Sequence, residues 1–581
     1  MNEPHYNLAI VGLGPRGHYA LECFLHSLAA ASDRQNAKII LFEETDQTGN
    51  GPVWDMSQSA SNWSNINDRI LILPERPEIQ LGSTTISAFP SYHDWANISQ
   101  ADDGKKSPDV YPQRRTVGQY LSKRFETLLQ PILAAGLAEL VSERVDDLSV
   151  MNDRLSVMTK TGASFSADQA LLTVGHQPTH RDAQIKDWIA ATEDNPALHL
   201  FPDPYPVEQI VNSVSEMTKV NMAVRGYGLA TIDIARATAE AFGDFTIQDE
   251  LTRAQSFELV RDVEVNIVPF SLDGLPLGPK PLNERLDMQF KPSKEALDKL
   301  DTQLSDPKAQ AAAQDETFLV DAIVPIMAGV YPTLQHRREC APADPQDLER
   351  LIADWVNDQS HDHSSILSTD VAPVDLLQEL VGMSVGAAPV SLDYCIGQVW
   401  RHCHPTIYTA LSHGQLSDEA LANIIFLDES MKRYSFGPPV ESLQQLIALH
   451  GAGVLNLDHV NDPDIEVSGD GWTLSNGSNR TTATVMVDAV LQPPKIKDVN
   501  APLMDRLLTD GILAAVHDDL GVDTTTDGFI VSDSDDGVPV AVLGRLAKGT
   551  IIGVDAILEC FGKRPQDWAA AAVERMIARA A

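Results

Sequence analysis

Two glycine-rich turns constrain the fold of this chain more than any other feature, and the first lies close to its start. The pattern Gly12-x-Gly14-x-x-Gly17 follows an apolar run at residues 8–11 and precedes a helix-forming stretch at residues 19–31. A short apolar run of this kind is typical of a buried parallel strand. In such a unit the first glycine allows a tight turn, the second lets a pyrophosphate approach the backbone, and the third lets helix and strand pack closely. The pattern predicts a dinucleotide site, with a turn that holds no ligand as the alternative.

An acidic residue follows the next predicted strand. Residues 38–42 are mostly apolar and end at Glu43. At this point of a dinucleotide-binding unit, a carboxylate accepts hydrogen bonds from the ribose hydroxyls. Glu43 is therefore predicted to contact the adenosine of the first nucleotide.

The second turn repeats the same pattern about two hundred residues later. A predicted strand at residues 220–225 leads into Gly226 and Gly228, and a helix-like stretch follows at residues 230–241. Thr231 stands where the third glycine is usual, although small residues are accepted where the helix must lie close to the strand. This turn predicts a second dinucleotide site, with a ligand-free crossover as the alternative.

The strand after the second turn bears on which nicotinamide nucleotide is used. Residues 263–270 are the next predicted strand, and they come after an insertion around residues 244–261. This strand runs into Ser271-Leu272-Asp273, which contains no arginine. A carboxylate at this point favours a free ribose 2′-OH over a 2′-phosphate, so NADH is slightly favoured over NADPH. Three arginines could reverse that preference: Arg225, Arg253 and Arg261.

Length and composition limit the protein class. A chain of 581 residues is too long for one core, so two or three domains are expected. Its 82 acidic and 43 basic side chains leave a formal net charge of -39, which argues against nucleic acid and anionic membranes as partners. The five cysteines are scattered without a CxxC pair, as in reduced proteins. With no leader-like start and no long apolar run, a soluble cytoplasmic protein is expected.

The order of these patterns predicts an α/β fold with two Rossmann-like dinucleotide-binding units and a mostly helical insertion. We divide the chain into an FAD-binding first part, an NAD(P)-binding unit, a helical insertion that could carry the substrate site, and a C-terminal segment that completes the nucleotide-binding domains. The respective boundaries are residues 1–215, 216–290, 291–450 and 451–581. Self-association into a homo-oligomer is left open.

Several segments together resemble an FAD/NAD(P)-binding protein family related to flavin-dependent N-hydroxylating monooxygenases. The matching stretches are residues 9–17, 49–54, 111–115, 173–176, 224–233 and 543–545, with Gly549, Thr550 and Asp555. In this family the first turn holds FAD and the second a nicotinamide nucleotide. The cofactor-binding residues predicted from the turns and from this resemblance are Gly12, Gly14, Pro15, Arg16, Gly17, Glu43, Trp54, Arg114, Thr173, Gly175, Gly226, Gly228, Thr231, Asp233, Asp273 and Arg545.

The resemblance implies an FAD-dependent, NAD(P)H-using oxidoreductase, and within that class a monooxygenase. Such an enzyme hydroxylates a small amine or amino acid with dioxygen, through a C4a-hydroperoxyflavin. Because the cofactors carry this chemistry, no catalytic side chain is assigned. The alternatives are a flavin-dependent reductase or dehydrogenase without oxygen activation, and an FAD-binding redox sensor or scaffold.

Other polar residues allow more than one interpretation. The run Arg401-His402-Cys403-His404 is weak evidence for a metal site, since adjacent side chains fan around a helix instead of converging, and no metal is predicted. Arg114 and Arg115 could bind an anion, either the FAD pyrophosphate or a substrate carboxylate, or form ordinary salt bridges. Lys280 and Arg545 are candidates of the same kind. Trp54 and Trp63 could cover the flavin or lie in the core.

Overall fold

The structure of the protein, a computed structural model, describes residues 6–31, 37–99, 105–151, 154–193, 195–491, 495–531 and 538–580. Residues 1–5, where the first predicted segment begins, lie outside this part.

The strands, in chain order, are β1 (Tyr6–Val11), β2 (Ala37–Phe42), β3 (Ile79–Leu81), β4 (Thr84–Ile86), β5 (Ala138–Val141), β6 (Val145–Met151), β7 (Arg154–Thr159), β8 (Ser164–Ala167), β9 (Gln169–Leu172), β10 (His199–Phe201), β11 (Lys219–Arg225), β12 (Gly243–Asp249), β13 (Ala254–Leu259), β14 (Glu264–Phe270), β15 (Asp464–Ser468), β16 (Gly471–Asn476), β17 (Asn479–Ala483), β18 (Val485–Asp488) and β19 (Val540–Val542).

The α-helices are α1 (Pro15–Ala30), α2 (Tyr92–Ala96), α3 (Arg114–Ala134), α4 (Ala183–Thr192), α5 (Val207–Val214), α6 (Leu229–Glu240), α7 (Glu284–Asp287), α8 (Lys294–Leu304), α9 (Pro307–Ala312), α10 (Thr317–Val330), α11 (Pro345–Asn357), α12 (Pro373–Ser384), α13 (Leu392–Leu411), α14 (Asp418–Ser435), α15 (Val440–Gly451), α16 (Pro502–Thr509), α17 (Ile557–Cys560) and α18 (Lys563–Ala580).

The first glycine turn belongs to a parallel sheet of order β19-β9-β1-β2-β5. Its strands are apolar on both faces because helices and loops cover them, and Leu8 and Ile10 of β1 are fully buried. Helix α1 packs on this sheet and against α18, where the rings of Phe24 and Trp568 lie 6.1 Å apart. The last strand and the last helix of the chain therefore complete the unit that the first strand begins.

The second glycine turn belongs to another parallel sheet, of order β10-β18-β11-β14. Helix α6 follows β11 and packs with α5 and α15. The insertion predicted between β11 and β14 is the antiparallel hairpin β12-β13. Strand β10 comes from the first predicted segment and β18 from the last, so three of the predicted segments contribute strands to this sheet. The predicted boundaries at residues 215, 290 and 450 stay predictions.

Helices predominate from α7 to α15, and they enclose a separate hydrophobic core that contains Trp400 and Tyr394. The predicted α/β fold with two dinucleotide-type units and a helical insertion is confirmed.

Each sheet presents the carboxyl ends of its parallel strands to one edge, the edge where ligands bind in folds of this kind. In the described parts of the chain, none of the helices combines the length and apolar character that a membrane crossing requires.

Candidate nucleotide-binding site

The first turn is held together by glycines that touch backbone. Gly12 adopts a φ of 91°, and a Cβ there would lie 2.6 Å from the carbonyl oxygen of Thr173. A Cβ at Gly17 would lie 2.1 Å from the carbonyl oxygen of Gly12. The Thr173 hydroxyl donates to that same carbonyl at 2.6 Å, which joins the end of β9 to the turn. Gly12 and Gly17 are therefore required by the packing of the protein itself.

Gly14 has a different environment. Its φ of -66° suits any residue, and a Cβ there would meet Gly51 Cα at 3.8 Å, an ordinary contact. Helix α1 begins directly after it with Pro15, four residues before the predicted start, and among the described residues no side chain caps the helix and no acid lies in its first turn. An uncapped helix N-terminus of this kind attracts a phosphate. The first turn thus fits the pyrophosphate of FAD.

Two charged residues of the first unit support the turn. Glu43 accepts a hydrogen bond from the Leu13 N–H through Oε2 at 2.8 Å. The carboxylate that is predicted to contact the ribose therefore lies beside the turn. Arg16 is buried and donates to the carbonyl oxygens of Glu559 and Val554 at 3.1 and 3.2 Å. Its guanidinium therefore braces the C-terminal segment of the chain. Its predicted cofactor contact stays a prediction.

The two tryptophans in the loop after β2 occupy different places. Trp54 is 9% exposed and packs in the core of the first unit, which is one of the two roles that the sequence left open. Trp63 is stacked on the Arg236 guanidinium, whose Cζ lies 3.8 Å from the ring centroid. Since Arg236 belongs to α6, this contact joins the loop to the second unit. The predicted flavin contact of Trp54 stays a prediction.

The second turn resembles the first, but its threonine lies in the helix that follows the turn instead of at the end of a neighbouring strand. Gly226 adopts a φ of 109°, and the Thr231 hydroxyl donates to its carbonyl at 2.8 Å, just as Thr173 does to Gly12. Gly228 precedes α6, which carries no side-chain cap and no acid in its first turn among the residues described. Around a Cβ built on Gly228, no heavy atom of the described residues lies within 4 Å. The space in front of Gly228 therefore fits a second pyrophosphate.

Arg114 and Asp233 lie in contact with each other. Arg114 Nη2 is 2.7 Å from Asp233 Oδ2, and the Tyr205 hydroxyl donates to the same oxygen at 2.7 Å. Burial opposes the charge of Arg114, but the Asp233 carboxylate raises the pKa of its guanidinium. The structure therefore uses Arg114 in an ion pair between the two units, the salt-bridge alternative that the sequence allowed.

Asp273 lies three residues beyond β14 and has a partner that sequence reasoning missed. Its Oδ2 accepts a hydrogen bond from Arg433 Nη2, in the last turn of α14. The two residues are 160 positions apart, so no local pattern could have paired them. The absence of arginine from residues 271–273 is therefore offset by an arginine from the helical insertion.

A cavity of about 310 Å³ lies between the carboxyl ends of the two sheets. It is lined by residues 175–182 after β9, by Asp488 at the end of β18 and Val490 just beyond it, and by Arg545 after β19. The predicted residues Gly175 and Arg545 meet there, together with His176, Arg181 and Asp182, whereas neither glycine turn lines the cavity. The site therefore holds both positive and negative side chains at the junction of the units.

Arg545 is anchored by a partly buried network of ion pairs. Its Nη1 is 2.7 Å from Asp555 Oδ1, and Asp555 Oδ2 lies 2.9 Å from Lys432 Nζ and 3.2 Å from Lys548 Nζ. Although burial raises it, the three cations hold the pKa of Asp555 well below its usual range. Lys432 belongs to α14, so this network ties the helical insertion to the segment that carries Arg545.

The histidine-rich segment of α13 contacts the neighbouring helices α7 and α14. Arg401 donates to Asp287, and His402 Nε2 lies 3.1 Å from the same carboxylate oxygen. His404 lies 3.4 Å from Asp428 and stacks on the Tyr408 ring. Within the described residues, no three His, Cys, Asp or Glu side chains are grouped so as to hold a metal ion.

Comparison with known proteins shows that the first part of the chain is similar to FAD-NAD(P)-binding proteins. Residues 9–177 match a family model described as FAD-NAD(P)-binding. The chain is 28% identical over 235 residues to nitrosuccinic acid synthase npaA of Aspergillus oryzae, and this match spans 39% of the chain and 34%, about a third, of that relative.

Two solved structures align over nearly the whole chain. One is L-lysine 6-monooxygenase from Pseudomonas syringae, at 14% identity, a TM-score of 0.45, and 98% and 99% coverage of this chain and that one. The other is OTEMO in complex with FAD and NADP, at 11% identity, a TM-score of 0.45, and 99% and 84% coverage. The match of residues 9–177 confirms the resemblance to FAD/NAD(P)-binding proteins that several segments of the sequence together predicted.

Proposed function

We propose that the protein is an FAD-dependent, NAD(P)H-using monooxygenase that oxidises the amine nitrogen of a small amino acid with dioxygen. One observation carries this proposal: two glycine turns, each followed by a helix, lie on two parallel sheets whose carboxyl edges meet at one cavity. Each turn ends in an uncapped helix N-terminus, and in each a threonine hydroxyl donates to the first glycine. Two dinucleotides bound there would extend toward the same space.

The residues of the first unit fit FAD. The N-terminus of α1 would hold the pyrophosphate, and Glu43, beside the turn, would meet the ribose. Bound FAD would accept a hydride from the nicotinamide nucleotide and, once reduced, activate dioxygen. The protein would position the two nucleotides and shield the cavity from water.

The cavity supports an amino acid as the substrate. Arg181 and Arg545, which pair with Asp203 and Asp555, would bind a carboxylate. Asp182 and Asp488, which both pair with Arg225, would accept hydrogen bonds from an amine. Part of the chain is related to a protein named for making nitrosuccinic acid, a dicarboxylic acid that bears oxidised nitrogen. Small amino acids with a second carboxylate, aspartate among them, are therefore the first substrates to test. Cytoplasmic location and self-association stay predictions from the sequence.

The test is spectroscopic and begins with the purified protein. We expect flavin absorption bands, or their appearance on addition of FAD, then bleaching on anaerobic addition of NADPH or NADH. In air, an amino-acid substrate should trigger oxygen uptake and a product that is heavier by one oxygen atom. A protein that neither contains nor takes up FAD would contradict the proposal. Turnover only with an artificial acceptor would indicate a reductase, and flavin that stays oxidised with both nucleotides would indicate a sensor or scaffold.

One variant separates the two nucleotide sites. Gly228→Val places a branched side chain in the open space before α6, so the protein should keep its yellow colour and be reduced much more slowly. Leu251→Ala, an exposed change in the β12-β13 hairpin of the same unit, is the control and should leave the rate of reduction unchanged.

A further inference from the structure

The end of β14 lies beside the second glycine turn. Strand β14 pairs with β11 in parallel, and the Gly226 N–H donates to the Phe270 carbonyl at 2.7 Å. In a dinucleotide-binding unit, the residues just beyond this second strand face the adenosine ribose, and their charge decides between a 2′-OH and a 2′-phosphate. Asp273 occupies that position, with a side chain that is 50% exposed.

Arg433 is held at the same place by backbone contacts. The Gly278 N–H donates to the Arg433 carbonyl at 2.8 Å, and the Lys280 N–H donates to the Pro438 carbonyl at 3.1 Å. A Cβ at Gly437 would lie 1.7 Å from the Gly278 carbonyl oxygen, so the two segments are in direct contact. The end of α14 is therefore fixed against the segment that follows β14, and Arg433 faces Asp273 as a consequence of the fold.

The other arginines near this unit are engaged elsewhere. Arg225 pairs with Asp182 at 2.7 Å, and Arg253 pairs with Glu441 at 2.9 Å. Arg261 donates to a backbone carbonyl and lies over the Phe242 ring. Lys432, the residue before Arg433 in α14, pairs with Asp555 instead. Of Arg433 and the three arginines that the sequence analysis considered, Arg433 is the one that contacts Asp273.

We infer that the Asp273–Arg433 pair selects the nicotinamide nucleotide, and that Arg433 makes NADPH the preferred one. A guanidinium binds a phosphate through two parallel hydrogen bonds, whereas a carboxylate binds the 2′-OH and repels the 2′-phosphate. On NADPH binding, Arg433 exchanges the Asp273 carboxylate for the 2′-phosphate. This preference is the reverse of the one that Asp273 alone predicts. The inference rests on the proposed function because it requires a nicotinamide nucleotide at the second turn.

The direct test is calorimetric and needs no flavin chemistry. Adenosine 2′,5′-bisphosphate carries the 2′-phosphate and 5′-AMP lacks it, so the pair of probes isolates this contact. We expect Arg433→Gln to weaken binding of the bisphosphate about tenfold or more, with 5′-AMP unchanged. Asp273→Asn should leave the bisphosphate bound at least as tightly and weaken 5′-AMP. Arg350→Gln, an exposed change on α11, should alter neither.

The second readout is anaerobic flavin reduction by NADPH and NADH in the same variants. Arg433→Gln should raise the NADPH concentration needed for half-maximal rate and leave that for NADH unchanged. Equal bisphosphate affinity in wild type and Arg433→Gln, or equal weakening of both probes, would overturn the inference. Absence of flavin reduction with normal bisphosphate discrimination would instead contradict the proposed function alone. If Arg433→Gln fails to fold, Asp273→Asn tests the inference in its place. This variant should weaken binding of 5′-AMP and leave the bisphosphate bound at least as tightly, and any other result would overturn the inference.

Discussion

Arg114 and Asp233 join the two nucleotide units through an ion pair in which Nη2 lies 2.7 Å from Oδ2. Arg114 opens α3 of the first unit, and Asp233 lies within α6 of the second. Their side chains are 15% and 6% exposed, so water screens the pair little. The Tyr205 hydroxyl completes the cluster from the segment before α5. The contact fixes the orientation of α6, and with it the second glycine turn, relative to the first unit.

Arg114→Ala should destabilise the protein by about 2–4 kcal/mol, because it leaves the Asp233 carboxylate buried without its cation. Urea unfolding measures this change. Lys123→Ala, on the same helix, removes an exposed pair with Glu126 and should cost less than about 1 kcal/mol. If the two variants unfold at the same urea concentration, the Arg114 pair does not hold the units together.

The glycines of the first turn should divide into two classes. Gly17→Ala should lower the melting temperature of the protein without cofactor, because the new Cβ would lie 2.1 Å from the Gly12 carbonyl oxygen. Gly14→Ala should leave that temperature nearly unchanged, since its Cβ makes an ordinary 3.8 Å contact, yet it should weaken FAD binding. Thermal unfolding and FAD titration separate the effects. Equal FAD affinity for Gly14→Ala and wild type would contradict the assignment of this turn.

The glycine turns could be predicted because the features that define them are local. Strand, turn and helix of each unit lie within about 25 residues, and the requirement for glycine at Gly12 and Gly226 comes from their positive φ. The threonine at position 231 shows how close packing accommodates a side chain: its hydroxyl bonds the turn itself. The mostly helical character of the insertion is also predicted from its local sequence.

The pairings that determine the site could not be predicted in the same way. Arg433 meets Asp273, and Arg114 meets Asp233, only after whole elements have docked. Sequence patterns show which face of a helix is apolar, but they do not show which of two adjacent cations, Lys432 or Arg433, reaches which unit. In the structure the first contacts Asp555 and the second Asp273. Helix α14 thereby bridges both nucleotide units.

Lys280 should make the stability of the protein depend on pH. Its Nζ donates to the carbonyl oxygens of Asn65 and Gly437, and burial, with a smaller effect of Arg401, lowers its pKa to about 7. The ordinary value in an unfolded chain is about 10.4, so between these values the unfolded state binds more protons and stability rises with pH. The melting temperature of wild type relative to Lys280→Met should therefore increase from pH 7 to pH 9.5.

Lys219→Met is the matched control for this pH dependence. Its side chain is 60% exposed, so the difference from wild type should stay flat over the same range. A Lys280→Met difference that is equally flat would show that the ammonium of Lys280 is not disfavoured by its surroundings.

Asp555→Asn should disturb both the insertion and the cavity. The change removes one of two carboxylates that face Lys432 and Lys548, and Lys548 is 2% exposed, so the remaining charge is poorly solvated. We expect a loss of about 2–4 kcal/mol in urea unfolding at pH 7. Asp518→Asn, which removes an exposed pair with Lys497, should cost less than about 1 kcal/mol.

The pH dependence of the Asp555 effect has a definite sign. The pKa of Asp555 is depressed in the folded protein, so its stabilising contribution is complete above the unfolded value of about 3.9 and is lost as pH falls toward the folded value. The difference between wild type and Asp555→Asn should therefore be constant from pH 8 to pH 5 and decrease below pH 4. A difference that grows on acidification would mean that the three cations do not stabilise this carboxylate. Arg545 would then need another anchor at the cavity.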